Sequence, residues 1–210
     1  MSSRSSEDRE KRDTRLRMLD VAEAHFARKG YDGAHLEGIA SEVGVRKTAL
    51  YYYFESKAAL YTSVLDRIAL ELDRVVGGAL QRVELDYVAR LELLAEDLNR
   101  LLASNHAYSQ ILLRIFVDRI PVPDDSVLTT SLERGLGSVM IFYQEGRDAG
   151  VFRKLSARHF AVSMLGMLVF YYAGGETSAL MLGIEDVAQD DAVSWRDREF
   201  REMLLRGVLV

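Results

Sequence analysis

The chain has 210 residues, long enough to bury a substantial core, and it contains no cysteine, which excludes disulfides and thiolate metal sites. Its 27 Lys and Arg against 32 Asp and Glu give a net charge of −5, so any affinity for phosphate has to be local rather than a property of the whole surface. The amino-terminal MSSRSSEDREKRDTRLRM has no apolar core and the longest apolar run, near MLGMLVFYYA, is about half a membrane span, so a cytoplasmic chain without membrane contact is expected.

Pro121 and Pro123 are the only prolines, and apolar residues such as Leu91, Leu94, Leu98 and Leu101 recur at three- and four-residue steps, which points to an all-α fold. Residues 1–12 are rich in Ser and charge with nothing to bury, and a disordered tail is expected there. A first helix is predicted from about Thr14 to Lys29, with Met18, Leu19, Ala22, His25 and Phe26 on its apolar face and Gly30 as its stop. LEGIASEV reads as a short second helix ending at Gly44, and VRKTALYYYF as a third. Glycine tolerates the left-handed turn between two helices so closely joined. Ala40 is small where the two cross, and Leu50 sits where the third packs back on the second. Residues 13–57 therefore form a helix-turn-helix unit with three helices.

On the third helix Leu50 and Phe54 share the inner face, Thr48 and Tyr52 point away, and Ala49 and Tyr51 flank them. Arg46 and Lys47 fall in its first turn, the end that enters the major groove in helix-turn-helix proteins. Residues 1–60 carry 11 Lys and Arg against 10 Asp and Glu, so only the clustering of Arg46, Lys47 and Lys57 favours phosphate. The string FARKGYDGAHLEGIASEVGVRKTALYYYFESKAALYTSVLDRI resembles the amino-terminal domain of the TetR family of bacterial transcriptional regulators, across roughly Arg15 to Arg67. The matches are Phe-Ala…Gly-Tyr, Ile39-Ala40, Gly44-Val45, Thr48 to Tyr51, Phe54, and Ser56-Lys57 followed by Leu60. Ala34 departs from the Thr or Ser that commonly caps the second helix, His25 from a usual Leu, and Gly38 from a frequent Asp or other polar residue. The resemblance implies that Tyr51 and Lys57 clamp phosphates while Arg46, Lys47, Thr48, Ala49 and Tyr52 lie in or along the groove of a palindromic double-stranded DNA operator. It also implies a repressor whose carboxy-terminal domain binds a small-molecule effector. The alternative is a helical small-molecule-binding or scaffold protein without specific DNA binding.

Residues 58–210 are expected to form the larger helical domain for effector binding and dimerisation. Its helices are predicted from a cap near Ser56 to Gly77-Gly78, from Tyr87 to Ala103, from His106 to Arg119, and through SVLTTSLERGLGSVMIFYQEGRDAGVF to Gly150. Gly135-Leu136-Gly137 lacks the preceding strand and third glycine of a phosphate loop and reads as close helix packing. SARHFAVSMLGMLVFYYAGGETSALML is apolar on nearly all sides, and SWRDREFREMLLRGVLV is amphipathic. The resemblance makes this pair the four-helix interface of a homodimer, with His159, Ser163, Gly166, Phe170, Phe200 and Leu204 in the seam. His106, Phe116, Met140, Tyr143, Met164 and Tyr171 are candidates for the effector pocket, chosen for aromatic and Met content on central helices. The four histidines have no metal-ligand spacing and no Ser/His/Asp set can be assembled, so no enzyme, metal or cofactor is expected.

Overall fold

The structure is a computed structural model that describes residues 2–117 and 127–210, the side chains of residues 2–8 and of Phe116 lying outside the description. Pro121 and Pro123 also lie outside it. The described residues form ten helices: α1 (Ser2–Gly33), α2 (Leu36–Val43), α3 (Lys47–Tyr53), α4 (Lys57–Leu80), α5 (Tyr87–Ser104), α6 (His106–Val117), α7 (Val127–Asp148), α8 (Ala157–Ala173), α9 (Glu176–Leu182) and α10 (Asp190–Val208). α1–α3 pack together at one end, and α4 runs from them into the larger body, where it packs on α7 and α5. α8 lies against α6 and α7, and α10 covers α5.

Local chemistry sets most of the boundaries. The Ser56 hydroxyl accepts the Ala59 N–H at 3.0 Å and starts α4; the Asp86 carboxylate accepts the Ala89 N–H at 2.8 Å and starts α5. Gly30, at φ 70° and ψ 179°, interrupts α1 where the sequence analysis places its stop. Residues 2–12, expected as a disordered tail, continue α1 instead: the stretch has no Pro or Gly, and its Arg, Glu and Lys are good helix formers that need no burial. α4 does not end at Gly77-Gly78 but runs on to Leu80, because Val75, Val76, Ala79 and Leu80 are all buried and outweigh about 1 kcal/mol of lost propensity per glycine. The apolar segment read as one helix breaks at Gly174-Gly175 into α8 and α9, with Gly175 at φ 47° and ψ −119°. Gly135 is not a close-packing glycine either, since a Cβ there would meet nothing within 4 Å.

Two arginines tie the α1–α3 unit to the body. Arg67 of α4 bonds Asp20 at 2.6 Å and also pairs with Glu23, both on α1. Arg114 of α6 donates from Nε to the Ala27 carbonyl and from Nη2 to the Arg28 carbonyl, each at 3.0 Å, so a cation sits on the carbonyls near the end of the α1 helix proper.

Candidate nucleic-acid interface

The interface begins with the turn between α2 and α3. Gly44 takes the left-handed conformation, φ 82° and ψ 30°, and its N–H and that of Val45 bond the Ala40 carbonyl at 3.0 and 2.9 Å. α3 then crosses α2 with Leu50 buried against the body of the unit that holds Ile39, Ala40 and Val43. That packing leaves the opposite face of α3 in water: Arg46, Lys47, Thr48, Tyr51 and Tyr52 are exposed, and Ala49 and Lys57 are half-buried. Tyr52 is 71% exposed, with its ring edge-on to Tyr53 at 5.1 Å. The seven residues expected on this face all lie on α3 or at its two flanks.

Three cations supply the charge, and two already have partners. Lys47 Nζ donates to Glu37 Oε1 of α2 at 2.5 Å and lies 5.9 Å from the Tyr51 ring centroid. That hydrogen bond lowers the Glu37 pKa and raises that of Lys47. Lys57 Nζ donates to the Asp32 carbonyl at 3.2 Å and stands 4.6 Å from the Tyr31 ring centroid. Tyr31 is itself fixed edge-on to Tyr61 at 5.1 Å. Arg46, the N-cap residue of α3, accepts the Ala49 N–H on its carbonyl at 2.8 Å, and its side chain makes no hydrogen bond or ion pair with any described residue.

The departures noted around α2 fall into place together. The cap position is His35, not Ala34, and its side chain makes no capping bond; Ala34 is buried. Glu37 in the first turn contributes a favourable negative charge there instead. His25, 4% exposed, bonds Glu42 at 2.8 Å through Nε2, and its Cε1 lies 3.2 Å from where a Cβ on Gly38 would stand. An imidazole at position 25 thus fits because position 38 has no side chain. Sequence reasoning missed Glu37 and Glu42, whose roles depend on which helix faces which.

The carboxy-terminal candidates divide. Met164 lines an apolar cavity of about 40 Å³ among α4, α5, α7 and α8, together with Leu72, Val76, Gly135, Leu136 and Val139. Tyr143 is core instead, stacked on Phe160 at 4.3 Å with its hydroxyl donating to the Arg153 carbonyl at 3.0 Å. His106 stacks on Tyr172 at 6.3 Å, Tyr171 lies under Arg196 at 4.6 Å, and Met140 is half-buried; none of the three lines the cavity. The Phe116 side chain is outside the described part. On α8, His159, Ser163, Gly166 and Phe170 are exposed along one stripe with Val162 and Met167. Phe200, expected in the same seam, is 0% exposed within its own subunit, and Leu204 is buried too. Periodicity marked the apolar side of α10 correctly, but that side packs on α5.

A helix-turn-helix unit with a cationic and aromatic outer face, mounted on a larger helical body, has the geometry by which such units enter the major groove of duplex DNA. Residues 18–64 match the family described as bacterial regulatory proteins, tetR family. The amino-terminal domain of this chain is thus similar to that of the TetR family. Over 45 residues it is 44% identical to the biofilm operon negative transcriptional regulator IcaR of Staphylococcus aureus, and over 59 residues 39% identical to the transcriptional repressor SCO4008 of Streptomyces coelicolor. Those alignments cover 21% and 28% of this chain and only 24% and 31% of the relatives' lengths. The whole fold is similar to the ketosteroid transcriptional regulator KstR2 of Mycobacterium tuberculosis, with a TM-score of 0.73 and 17% identity over 93% of this chain and 95% of that one. It is also similar to FadR of Bacillus subtilis, solved in complex with stearoyl-CoA, with a TM-score of 0.68 and 19% identity over 91% and 98%. Among the described residues no helix is long and apolar enough to cross a membrane.

Proposed function

We propose that this protein is a transcriptional repressor of the bacterial cytoplasm that binds a palindromic operator as a two-fold dimer and is released by a small apolar effector. The observation that carries the reading is the Gly44 turn, which holds α3 by its Leu50 side and leaves Arg46, Thr48 and Tyr52 outward at the spacing a groove-reading helix needs. IcaR and SCO4008, named as a negative regulator and a repressor, share this part of the chain and supply the sign of regulation. Tyr51 and Lys57 hold phosphates at the far end of α3, while Arg46, Lys47, Thr48, Ala49 and Tyr52 face the groove.

The dimer reading rests on the exposed stripe of α8, where Val162 and Phe170 are 57% and 67% exposed, apolar groups that a lone subunit leaves in water. The effector reading rests on the apolar cavity, whose volume of about 40 Å³ holds no organic ligand until α7 moves from α4 and α8. FadR with its fatty acyl thioester indicates the class of apolar ligand such a body accommodates. The decisive experiment is selection of bound sequences from random duplex DNA with the purified protein. An enriched inverted repeat with half-sites about one helical turn apart is expected. Recovery of no preferred sequence by a folded dimer would favour a ligand-binding or scaffold protein.

A further inference from the structure

We infer that Glu37 is a specificity-determining residue: its carboxylate neutralises Lys47 in the free protein and suppresses binding to non-cognate DNA. The inference rests on the DNA-binding reading and concerns a residue outside α3. Lys47 is the first residue of α3 and Glu37 the second of α2, so the loop geometry brings an anion to the very end of the groove-facing helix. The pair is short, 2.5 Å, and lies in water, with 42% of the Lys47 side chain and 66% of the Glu37 side chain exposed. Other charged neighbours of Glu37 are few: His35, at the α2 cap, also lowers its pKa, and its own backbone N–H bonds it.

An exposed carboxylate beside a polyanion is repelled, and a lysine that stays paired with it neutralises no phosphate and so releases none of the cations condensed on the DNA. On a random duplex, Lys47 therefore stays with Glu37, and the pair contributes nothing to affinity. On the operator, an acceptor correctly placed in the groove draws Lys47 away from the carboxylate, and its contribution appears only there. The same residue that places a negative charge in the first turn of α2 thereby widens the gap between cognate and non-cognate sites. A like-charge element that penalises the wrong partner is a common source of such gaps.

The test compares wild-type protein with Glu37→Gln, Lys47→Gln and the double variant on a random-sequence duplex and on the operator recovered by selection, across a salt series. Glu37→Gln is expected to steepen the log–log salt slope on random duplex by about 0.9 per subunit, because one lysine is freed to displace a counterion. Its random-duplex affinity at low salt should rise about tenfold, with a smaller rise on the operator. The double variant should return the slope to the wild-type value. A random-duplex slope unchanged in Glu37→Gln, or equal gains on both duplexes, overturns the inference. A fall in melting temperature with no change in slope would make Glu37 only a helix-start residue, and that too overturns it. If wild-type protein binds neither duplex, the DNA-binding reading itself fails, a result distinguishable from the others because it appears before any substitution.

Discussion

His25 and Gly38 show how two uncommon residues become one contact. The imidazole is 4% exposed and anchored to Glu42 at 2.8 Å, so it has little room to retreat from a methyl group placed 3.2 Å away. Alanine is the better helix former by about 1 kcal/mol, which alone would make Gly38→Ala stabilising. We expect the opposite: Gly38→Ala should lower the melting temperature in the wild-type protein and raise it in a His25→Ala background. A gain in both backgrounds would show that the ring moves aside freely. The same contact has a pH signature. The hydrogen bond from His25 holds the Glu42 pKa below its ordinary value of 4.5, so its stabilisation is full above that pH and disappears as the pH falls through the lowered value. Thermal unfolding of Glu42→Gln should accordingly be less acid-sensitive than that of the wild type from about pH 5 to about pH 3, the span over which a carboxylate titrates.

At the scale of helices, sequence and structure agree where one local constraint selects the outcome. Gly44, Ala40 and Leu50 require a tight left-handed turn, a close crossing and a return contact, and together they leave a single arrangement of α2 and α3. α10 lacks any such constraint. Its apolar positions repeat correctly, yet a period of 3.6 tells which side is buried and not whether its own subunit or a partner buries it. Phe200 and Leu204 fill the body of their own subunit, and the exposed apolar side chains on that helix are Trp195 and Met203. Of the six residues expected at the effector pocket, Met164 lines the cavity, whose other walls are mostly aliphatic side chains and Gly135, residue types that aromatic and Met content does not single out. Phe200→Ala should therefore cost about 3–5 kcal/mol of subunit stability, the usual range for emptying a buried aromatic site. Chemical denaturation of a subunit made monomeric by a charge on the α8 stripe separates the possibilities. The full cost should persist there, and a loss of the effect would return Phe200 to the interface.

For the molecule as a whole, the proposed repressor has to join two weakly charged DNA-binding ends into one reader. Each has only one more Lys or Arg than Asp or Glu over residues 1–60, so a single end gains little from counterion release and specificity depends on pairing two of them. The surface available for that pairing is the stripe His159, Val162, Ser163, Gly166, Met167 and Phe170, spaced three and four residues apart and exposed throughout. Gly166 lies at its centre, and a Cβ there would meet nothing within 4 Å of its own subunit. Gly166→Glu is thus a clean probe. In a lone subunit the new side chain enters open space and improves helix propensity by up to about 1 kcal/mol, so the fold should be retained. In a dimer the same carboxylate is buried against its symmetry mate without a partner, an arrangement that costs several kcal/mol of association. We expect sedimentation to report monomers with an undiminished helical signal, and operator affinity to fall far more than loss of one contact explains. The two recognition helices, about 34–36 Å apart in a palindromic reader, would no longer be held in register. A variant that stays dimeric would move the interface off α8, to the exposed Leu180 and Met181 of α9 as the next apolar surface. A monomer that keeps full operator affinity would instead show that one α3 suffices, and the two-fold mechanism would fall.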